Sequence, residues 1–384
     1  MITINYDKRD EWGRLKPKGY YRELPPVCIG EPTRPVKIPR NQILLGDATA
    51  RLRELPAASI DCVVTSPPYF QLRDYLANGQ IGLEPTVDGW VQALRAVMSE
   101  VARVLKPAGS VWLNLGDSFS RGPKYGSPAK SMHLAPERLL LALASDGWIV
   151  RGKIIWAKPN VMPNSVADRL NVAYEVVYFL VRSPRYYFDL DAIRDPHKPS
   201  TARKGSPAPS VVPKWQGPGG GKNDGLLRAR AAGQPGHPLG KNPGDVWSIQ
   251  TKGFRGAHFA TFPPELIRRP ILAGCPEAIC TRCGIPWKRA VKVWRVPVGS
   301  PSQAKQPRDK RVYRFTEMWN TLREVGDLVP CGCSAPTVPG VVLDPFFGAG
   351  TVAVVAEELS RDWLGIEISE EYRDLAMERI ENAA

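Results

Sequence analysis

Short apolar runs alternate along this 384-residue chain with turn residues and helical periods, and that alternation constrains the fold more than any other feature. Gln42-Ile43-Leu44-Leu45 runs into Gly46-Asp47, with a short helical pattern carrying Leu52 and Leu55 behind it. Ile60-Asp61-Cys62-Val63-Val64-Thr65 is a second strand pattern that must stop at Pro67-Pro68, because proline has no N–H for a sheet ladder. From Val87 to Lys106 the apolar positions Trp90, Val91, Leu94, Val97, Met98, Val101, Val104 and Leu105 recur at three and four residues, which is one face of a helix ended by Pro107 and Gly109. Strand patterns follow at Ser110–Leu115, Trp148–Trp156, Glu175–Val181, Val341–Leu343 and Trp363–Glu367. Helices are expected near Pro136–Ser145, after Phe262 through Leu272, from Thr351 to Leu359 and at the C-terminal end. Strands alternating with helices predict an α/β fold, a doubly wound and mostly parallel sheet covered by helices.

Polarity and charge narrow the function classes. No run approaches eighteen apolar residues and Met1 to Arg40 has no apolar core of a signal peptide, so no membrane partner is predicted and a cytoplasmic location is expected. Lys plus Arg number 52 against 38 Asp plus Glu, a formal net charge of +14, which favours a polyanionic partner, nucleic acid first. The chain divides by composition into an arm (1–40), an ordered half (41–194), a Gly, Pro and basic tract (195–244) and a second ordered half (245–384). The tract, with Gly217-Pro218-Gly219-Gly220-Gly221-Lys222, has no hydrophobic period and reads as a linker or as a loop that orders against a DNA backbone.

Two loops carry the chemistry. Thr65-Ser66-Pro67-Pro68-Tyr69 sits at a strand's carboxyl end, where a polar side chain, rigid prolines and an aromatic ring can hold one flat amino-bearing base. Val341-Val342-Leu343-Asp344-Pro345-Phe346-Phe347-Gly348-Ala349-Gly350-Thr351 is an apolar strand entering a glycine-rich turn and a helix. Glycines there let backbone turn sharply and approach a ligand, and the helix start offers free N–H groups to a carboxylate. Glu367, at the end of the next strand, can accept both hydroxyls of a ribose; a surface acid is the other reading.

Together the two loops resemble the DNA amino-methyltransferases, which methylate N4 of cytosine or N6 of adenine using S-adenosylmethionine, and their order resembles the permuted beta arrangement of that family. The resemblance covers roughly residues 41–194 and 245–384 and implies a Rossmann-like methyltransferase fold with an inserted cysteine-rich lobe. It implies catalytic roles for Ser66, Pro67, Pro68 and Tyr69, and cofactor binding by Asp47, Phe262, Asp344, Phe346, Gly348, Gly350, Thr351 and Glu367. Asp47 stands for the acid that meets the cofactor's adenine, and Phe262 for the phenylalanine of His258-Phe259-Ala260-Thr261-Phe262-Pro263, with core filling as its alternative. Double-stranded DNA is the implied partner and a bacterial or phage origin the implied source, while a cognate restriction endonuclease, a monomer and a homodimer all stay open.

An exocyclic amino nitrogen is a poor nucleophile because its lone pair is delocalised into the ring, so the site needs acceptors for the amino hydrogens. The Ser66 hydroxyl and the Pro67 carbonyl can serve, and Tyr69 can stack on a base taken out of the duplex. Members with Asp before the two prolines are usually adenine-N6 enzymes; Ser66 resembles the cytosine-N4 group, so cytosine N4 is expected. An adenine-N6 enzyme of the same fold and a non-catalytic zinc-containing DNA-binding protein are the alternatives.

Five of the seven cysteines fall between Cys275 and Cys333, which argues against a disulfide framework. Cys280-Thr281-Arg282-Cys283-Gly284 and Cys331-Gly332-Cys333 offer four thiolates for a structural zinc inside an insertion spanning 275–333, with reduced buried cysteines as the alternative and Cys275 unassigned. Lys305, Arg308, Lys310, Arg311 and Arg314 make that insertion basic.

Overall fold

The structure, a computed structural model, describes residues 20–21, 37–196, 240–251, 261–297 and 319–383. Most of the arm, most of the 195–244 tract, His258-Phe259-Ala260 and the basic residues Lys305 to Arg314 lie outside the described residues. Two compact units result, one of residues 27–192, 244–288 and 330–384, the other of 1–26, 193–243 and 289–329. In the second, Tyr20 and Tyr21 pair antiparallel with Val293 and Lys292, a strand Trp319–Val329 pairs with the strand that ends at Pro297, and Asp195 bridges to Lys241.

The first unit is built on an eight-stranded sheet. Its strands are β1 (Gln42–Leu45), β2 (Ile60–Thr65), β3 (Leu105–Leu115), β4 (Ile149–Ala157), β5 (Tyr174–Val181) and β6 (Val246–Ser248). After two short strands outside the sheet, β7 (Ala278–Cys280) and β8 (Thr337–Val338), come β9 (Val341–Asp344) and β10 (Asp362–Glu367). The spatial order is β1-β10-β9-β2-β3-β5-β4-β6. Pairing is parallel from β1 through β3 and between β4 and β6; β5 alone runs antiparallel to both of its neighbours.

The alternation of side chains up and down each strand decides what covers the sheet. Val63, Val111, Leu113, Val341, Leu343, Leu364 and Ile366 face one way and form a core with helices α1 (Ala48–Glu54), α2 (Val87–Val104) and α3 (Ala135–Ser145). The opposite face is covered by α4 (Pro264–Gly274), α5 (Thr351–Glu358) and α6 (Glu370–Glu381), with Leu266, Ile267, Ile271 and the apolar run Val352–Ala356 buried. Strands buried on both faces read as continuous apolar runs, which is why β2 and β9 are buried at every position. The predicted doubly wound α/β sheet is therefore the fold. One boundary differs: α2 stops at Val104 and β3 starts at once at Leu105, so Pro107 and Gly109 lie inside the strand, beside a register irregularity between Ile60 and Cys62.

The direction in which successive strands are added reverses between the parallel neighbours β9 and β2. From β9 the chain passes through α5 to β10 on one side, and from β2 through α2 to β3 on the other. Adjacent parallel strands whose connections diverge open a crevice at their carboxyl ends, the usual ligand position in open α/β sheets.

Candidate active site

A cleft of about 440 Å3 occupies that crevice. Its walls are the loops that leave β1, β2, β9 and β10, together with Asn114 of β3, Trp156 of β4, Lys158 just beyond it and Glu175 at the start of the antiparallel β5. Ser66, Pro67, Pro68 and Tyr69 share it with Asp47, Phe262, Phe346, Gly348, Thr351 and Glu367. Asp344 and Gly350 are not on its surface and shape the turn from behind. Asp344 is 1% exposed; one of its oxygens accepts from the Thr65 hydroxyl at 2.6 Å and the Phe346 amide at 3.0 Å. It thereby ties the end of β2 to the glycine turn, and burial pushes its carboxyl up to about 7. Gly350 caps α5 in a left-handed conformation with φ 73°.

The turn after β9 is held open toward the cleft. Gly348 has φ 51°, and a Cβ there would meet no atom within 4 Å, so bare backbone faces open space. Its amide donates to Glu367 Oε2 at 2.7 Å, and Glu367 Oε1 accepts from the Ser369 amide at 2.9 Å. Burial raises the Glu367 carboxyl above the ordinary carboxylate range, opposed by these amides and that of Ile368; with about four acceptor sites the carboxylate keeps capacity for a ligand. Arg379 of α6 donates to the Ala349 carbonyl at 3.0 Å and the Thr351 hydroxyl at 2.9 Å, fixing the turn from outside. Asp47 caps α1 by accepting from the Ala50 amide at 2.8 Å through one oxygen, which leaves its second oxygen for another partner. Backbone without a Cβ, an acid at the next strand end and an aromatic at Phe346 fit the carboxylate, ribose and adenine of S-adenosylmethionine.

The other end of the cleft is a chain of polar groups that the sequence did not single out beyond Ser66 and Tyr69. Lys158 is ion-paired to Glu175 Oε1, both side chains 16% exposed, and Lys158 also lies 4.3 Å above the Trp156 ring. Glu175 Oε2 is 2.7 Å from the Tyr69 hydroxyl and accepts from Asn114 Nδ2 at 3.1 Å. Asn114 Oδ1 stands 3.1 Å from the same hydroxyl, and Ser66 Oγ is 3.2 Å from it on the other side. A phenol has one proton, and the charged carboxylate at the shorter distance is the stronger acceptor, so the Tyr69 proton points to Glu175. The Ser66 proton then points to Tyr69, which leaves the serine oxygen facing the cleft as an acceptor only. Burial, followed by the Glu175 charge, pushes the Tyr69 hydroxyl well above its ordinary range, so it stays a phenol.

Packing fixes this arrangement. A Cβ on Gly116 would stand 2.7 Å from the Tyr69 ring, so only glycine at that position admits the ring. The fully buried Trp90 donates through Nε1 to the Pro68 carbonyl at 2.9 Å. Among the described residues nothing bonds to the Pro67 carbonyl, which stays available to a ligand. On the far rim Asn160 and Thr251 exchange hydrogen bonds at 2.9 Å, holding the loop after β6 beside the end of β4.

Away from the cleft, Cys280, Cys283, Cys331 and Cys333 converge, with all four sulfurs within 4.8 Å of one another. Cys275 is not among them: it is fully buried under α4, its thiol 3.9 Å from the Pro276 carbonyl. Among the described residues no helix is long and apolar enough to cross a membrane.

Residues 60–279 and 334–378 match the family described as DNA methylase, the N6/N4 methyltransferases. The chain is 32% identical to the Type II methyltransferase M.Cfr9I of Citrobacter freundii over 91% of this chain and 90% of that one. It is 33% identical to the Type II methyltransferase M.XycI of Xanthomonas campestris pv. cyanopsidis over 95% and 93%. In fold it resembles the PvuII DNA methyltransferase (cytosine-N4-specific), with a TM-score of 0.50 at 17% identity over 92% and 94% of the two chains. The chain belongs to the S-adenosylmethionine-dependent N4/N6 methyltransferases of DNA.

Proposed function

We infer that the protein methylates the exocyclic N4 of a cytosine flipped out of double-stranded DNA, with Ser66, Pro67, Pro68 and Tyr69 as the catalytic loop. The observation that carries this reading is Ser66: the residue before the two prolines is a hydroxyl whose proton is engaged by Tyr69, so toward the cleft it can only accept. Bound S-adenosylmethionine would supply an electrophilic methyl group; of the residues lining the cleft, Gly348 and Glu367 would hold its methionine and ribose parts, Asp47 its adenine amino group, and Phe346 and Phe262 its ring.

The flipped base lies against Tyr69, whose ring is immobilised by Gly116 and by its own hydroxyl bonds. Ser66 Oγ and the Pro67 carbonyl each draw one amino hydrogen, and the nitrogen lone pair is freed toward the methyl donor. As the N–C bond formed and the donor's sulfur–methyl bond broke, its electron pair staying on sulfur to leave a neutral thioether, the amino proton would pass to Ser66, the serine proton to Tyr69 and the phenol proton to Glu175, whose negative charge Lys158 holds in place. The last two transfers run along hydrogen bonds present in the structure, so no strong base is required.

The similarity to Type II methyltransferases supports a modification role beside a restriction endonuclease. The test is to incubate the protein with labelled S-adenosylmethionine and either duplex DNA or RNA, digest to nucleosides and separate them. N4-methylcytosine is expected; N6-methyladenine would assign the same fold to the adenine reaction, and label in RNA alone would overturn the substrate class.

A further inference from the structure

We propose that Cys280, Cys283, Cys331 and Cys333 hold one structural zinc ion, outside and independent of the cleft. The four sulfurs lie within 4.8 Å of one another, and those of Cys283 and Cys331 are 3.5 Å apart. Zinc–thiolate bonds of about 2.3 Å in a tetrahedron set sulfur–sulfur edges of about 3.8 Å, so the cluster is already at the scale of a single ion. Four thiols brought this close with no cation would crowd their lone pairs together. A metal converts that repulsion into four bonds.

Both halves of the cluster share one local geometry. Gly284 follows Cys283 with φ 68° and Gly332 follows Cys331 with φ 78°, each in the left-handed region that turns the next amide back. The Ile285 amide accordingly lies against the Cys283 sulfur and the Cys333 amide against the Cys331 sulfur. Amides aimed at sulfur are the outer hydrogen bonds that orient metal-bound thiolates.

The frame around the cluster is rigid. Cys280 pairs with Thr337 across β7 and β8, and Thr281 donates to the Pro336 carbonyl through its amide at 3.0 Å and its hydroxyl at 2.8 Å. With Cys280 and Cys331 buried and four sulfurs as ligands, no position is left for water or substrate, and none of the four cysteines lines the cleft. Such a closed site is structural. Along the chain Cys283 and Cys331 are 48 residues apart, so the ion fastens together the two points at which a long insertion leaves and rejoins the fold.

Metal analysis of the full chain, purified under reducing conditions, should give about one zinc per chain. Cys283→Ser and Cys331→Ser should each cut that occupancy at least severalfold. Because those variants can fail to fold, the wild-type protein is also titrated with a thiol reagent. Four thiols should be protected until a strong chelator is added, and the melting temperature should fall on chelation. Replacement by cobalt(II) should give the absorption of a tetrahedral thiolate site. A folded, metal-free protein with an unchanged melting temperature, stoichiometric iron instead of zinc, or a Cys283–Cys331 disulfide would each overturn the proposal.

Discussion

Glu175 is the residue on which the polarity of the proposed catalytic chain depends, and Glu175→Gln tests it with almost no change of shape. In the wild type its carboxylate only accepts, from Lys158, Tyr69 and Asn114 at once. A glutamine brings an NH2 group that must donate. Directed at Lys158 it faces another donor; directed at Tyr69 it turns the phenol proton toward Ser66, and the serine proton toward the cleft. In the second orientation Ser66 ceases to be an obligate acceptor; in the first the ion pair with Lys158 is lost, and in both the neutral amide is a far poorer terminal proton acceptor than the carboxylate. A hydrogen bond to a charged group contributes about 1.5–3 kcal/mol, and at about 1.4 kcal/mol per factor of ten the turnover should fall about 10- to 150-fold. The assay is transfer of labelled methyl groups to duplex DNA, with kcat and KM measured separately and S-adenosylmethionine affinity by calorimetry. Affinity should change by less than about twofold, since Glu175 lies at the base end of the cleft. Ser66→Ala combined with Glu175→Gln should lose little more than Ser66→Ala alone, because both changes disable one acceptor. Full activity of Glu175→Gln, or losses that simply multiply in the double variant, would refute the relay.

Glu367→Ala should weaken S-adenosylmethionine binding before it affects turnover at saturating cofactor, because it removes the acceptor that also holds the Gly348 amide; calorimetry reads this directly. Gly116→Ala should displace the Tyr69 ring and depress kcat severalfold or more while cofactor affinity holds, measured in the same assays. Asp344 gives a pH dependence. Its carboxyl keeps a proton up to about 7 in the folded chain but only to about 3.8 when unfolded, so the folded state binds more protons between those values. Stability should therefore fall as pH rises through that window, and Asp344→Asn should flatten the fall and match or exceed the wild-type melting temperature at pH 8. A wild-type protein that gains stability across the same window through this residue would contradict the assignment.

The strands, the two loops and the order of the motifs were legible in the sequence because a strand buried on both faces must be apolar throughout and a proline pair must end it. Ser66, Tyr69, Gly348 and Glu367 could be read from their positions at strand ends. Lys158, Glu175 and Asn114 could not: each is a single polar letter, and only the antiparallel return of β5 beside β3 and β4 brings them to Tyr69. A faint signal existed in Glu175, an acid set at the mouth of an otherwise apolar run. Asp344 and Gly350 illustrate the reverse. The pattern marks the turn, but which side chains reach the cleft depends on the rotation of the backbone: the Asp344 carboxyl turns to Thr65, and Gly350 lies off the cleft surface. The early start of β3 was hidden because Pro107 ordinarily marks a break, whereas here it lies in the strand's first turn of chain, ahead of its fully buried stretch.

The position of β9 between β2 and β10 bears on how the enzyme comes into being during translation. Residues 341–344 lie inside the sheet between β10 and β2 yet emerge from the ribosome almost three hundred residues after β2. Until they arrive, the edge of β2 is an unfilled seam and the Thr65 hydroxyl has no carboxylate to meet. Such distant parallel pairing is slow to form, and a nascent or prematurely terminated chain presents the SPPY loop with no methyl donor beside it. Methyl transfer to DNA therefore requires β9 to be in place beside β2.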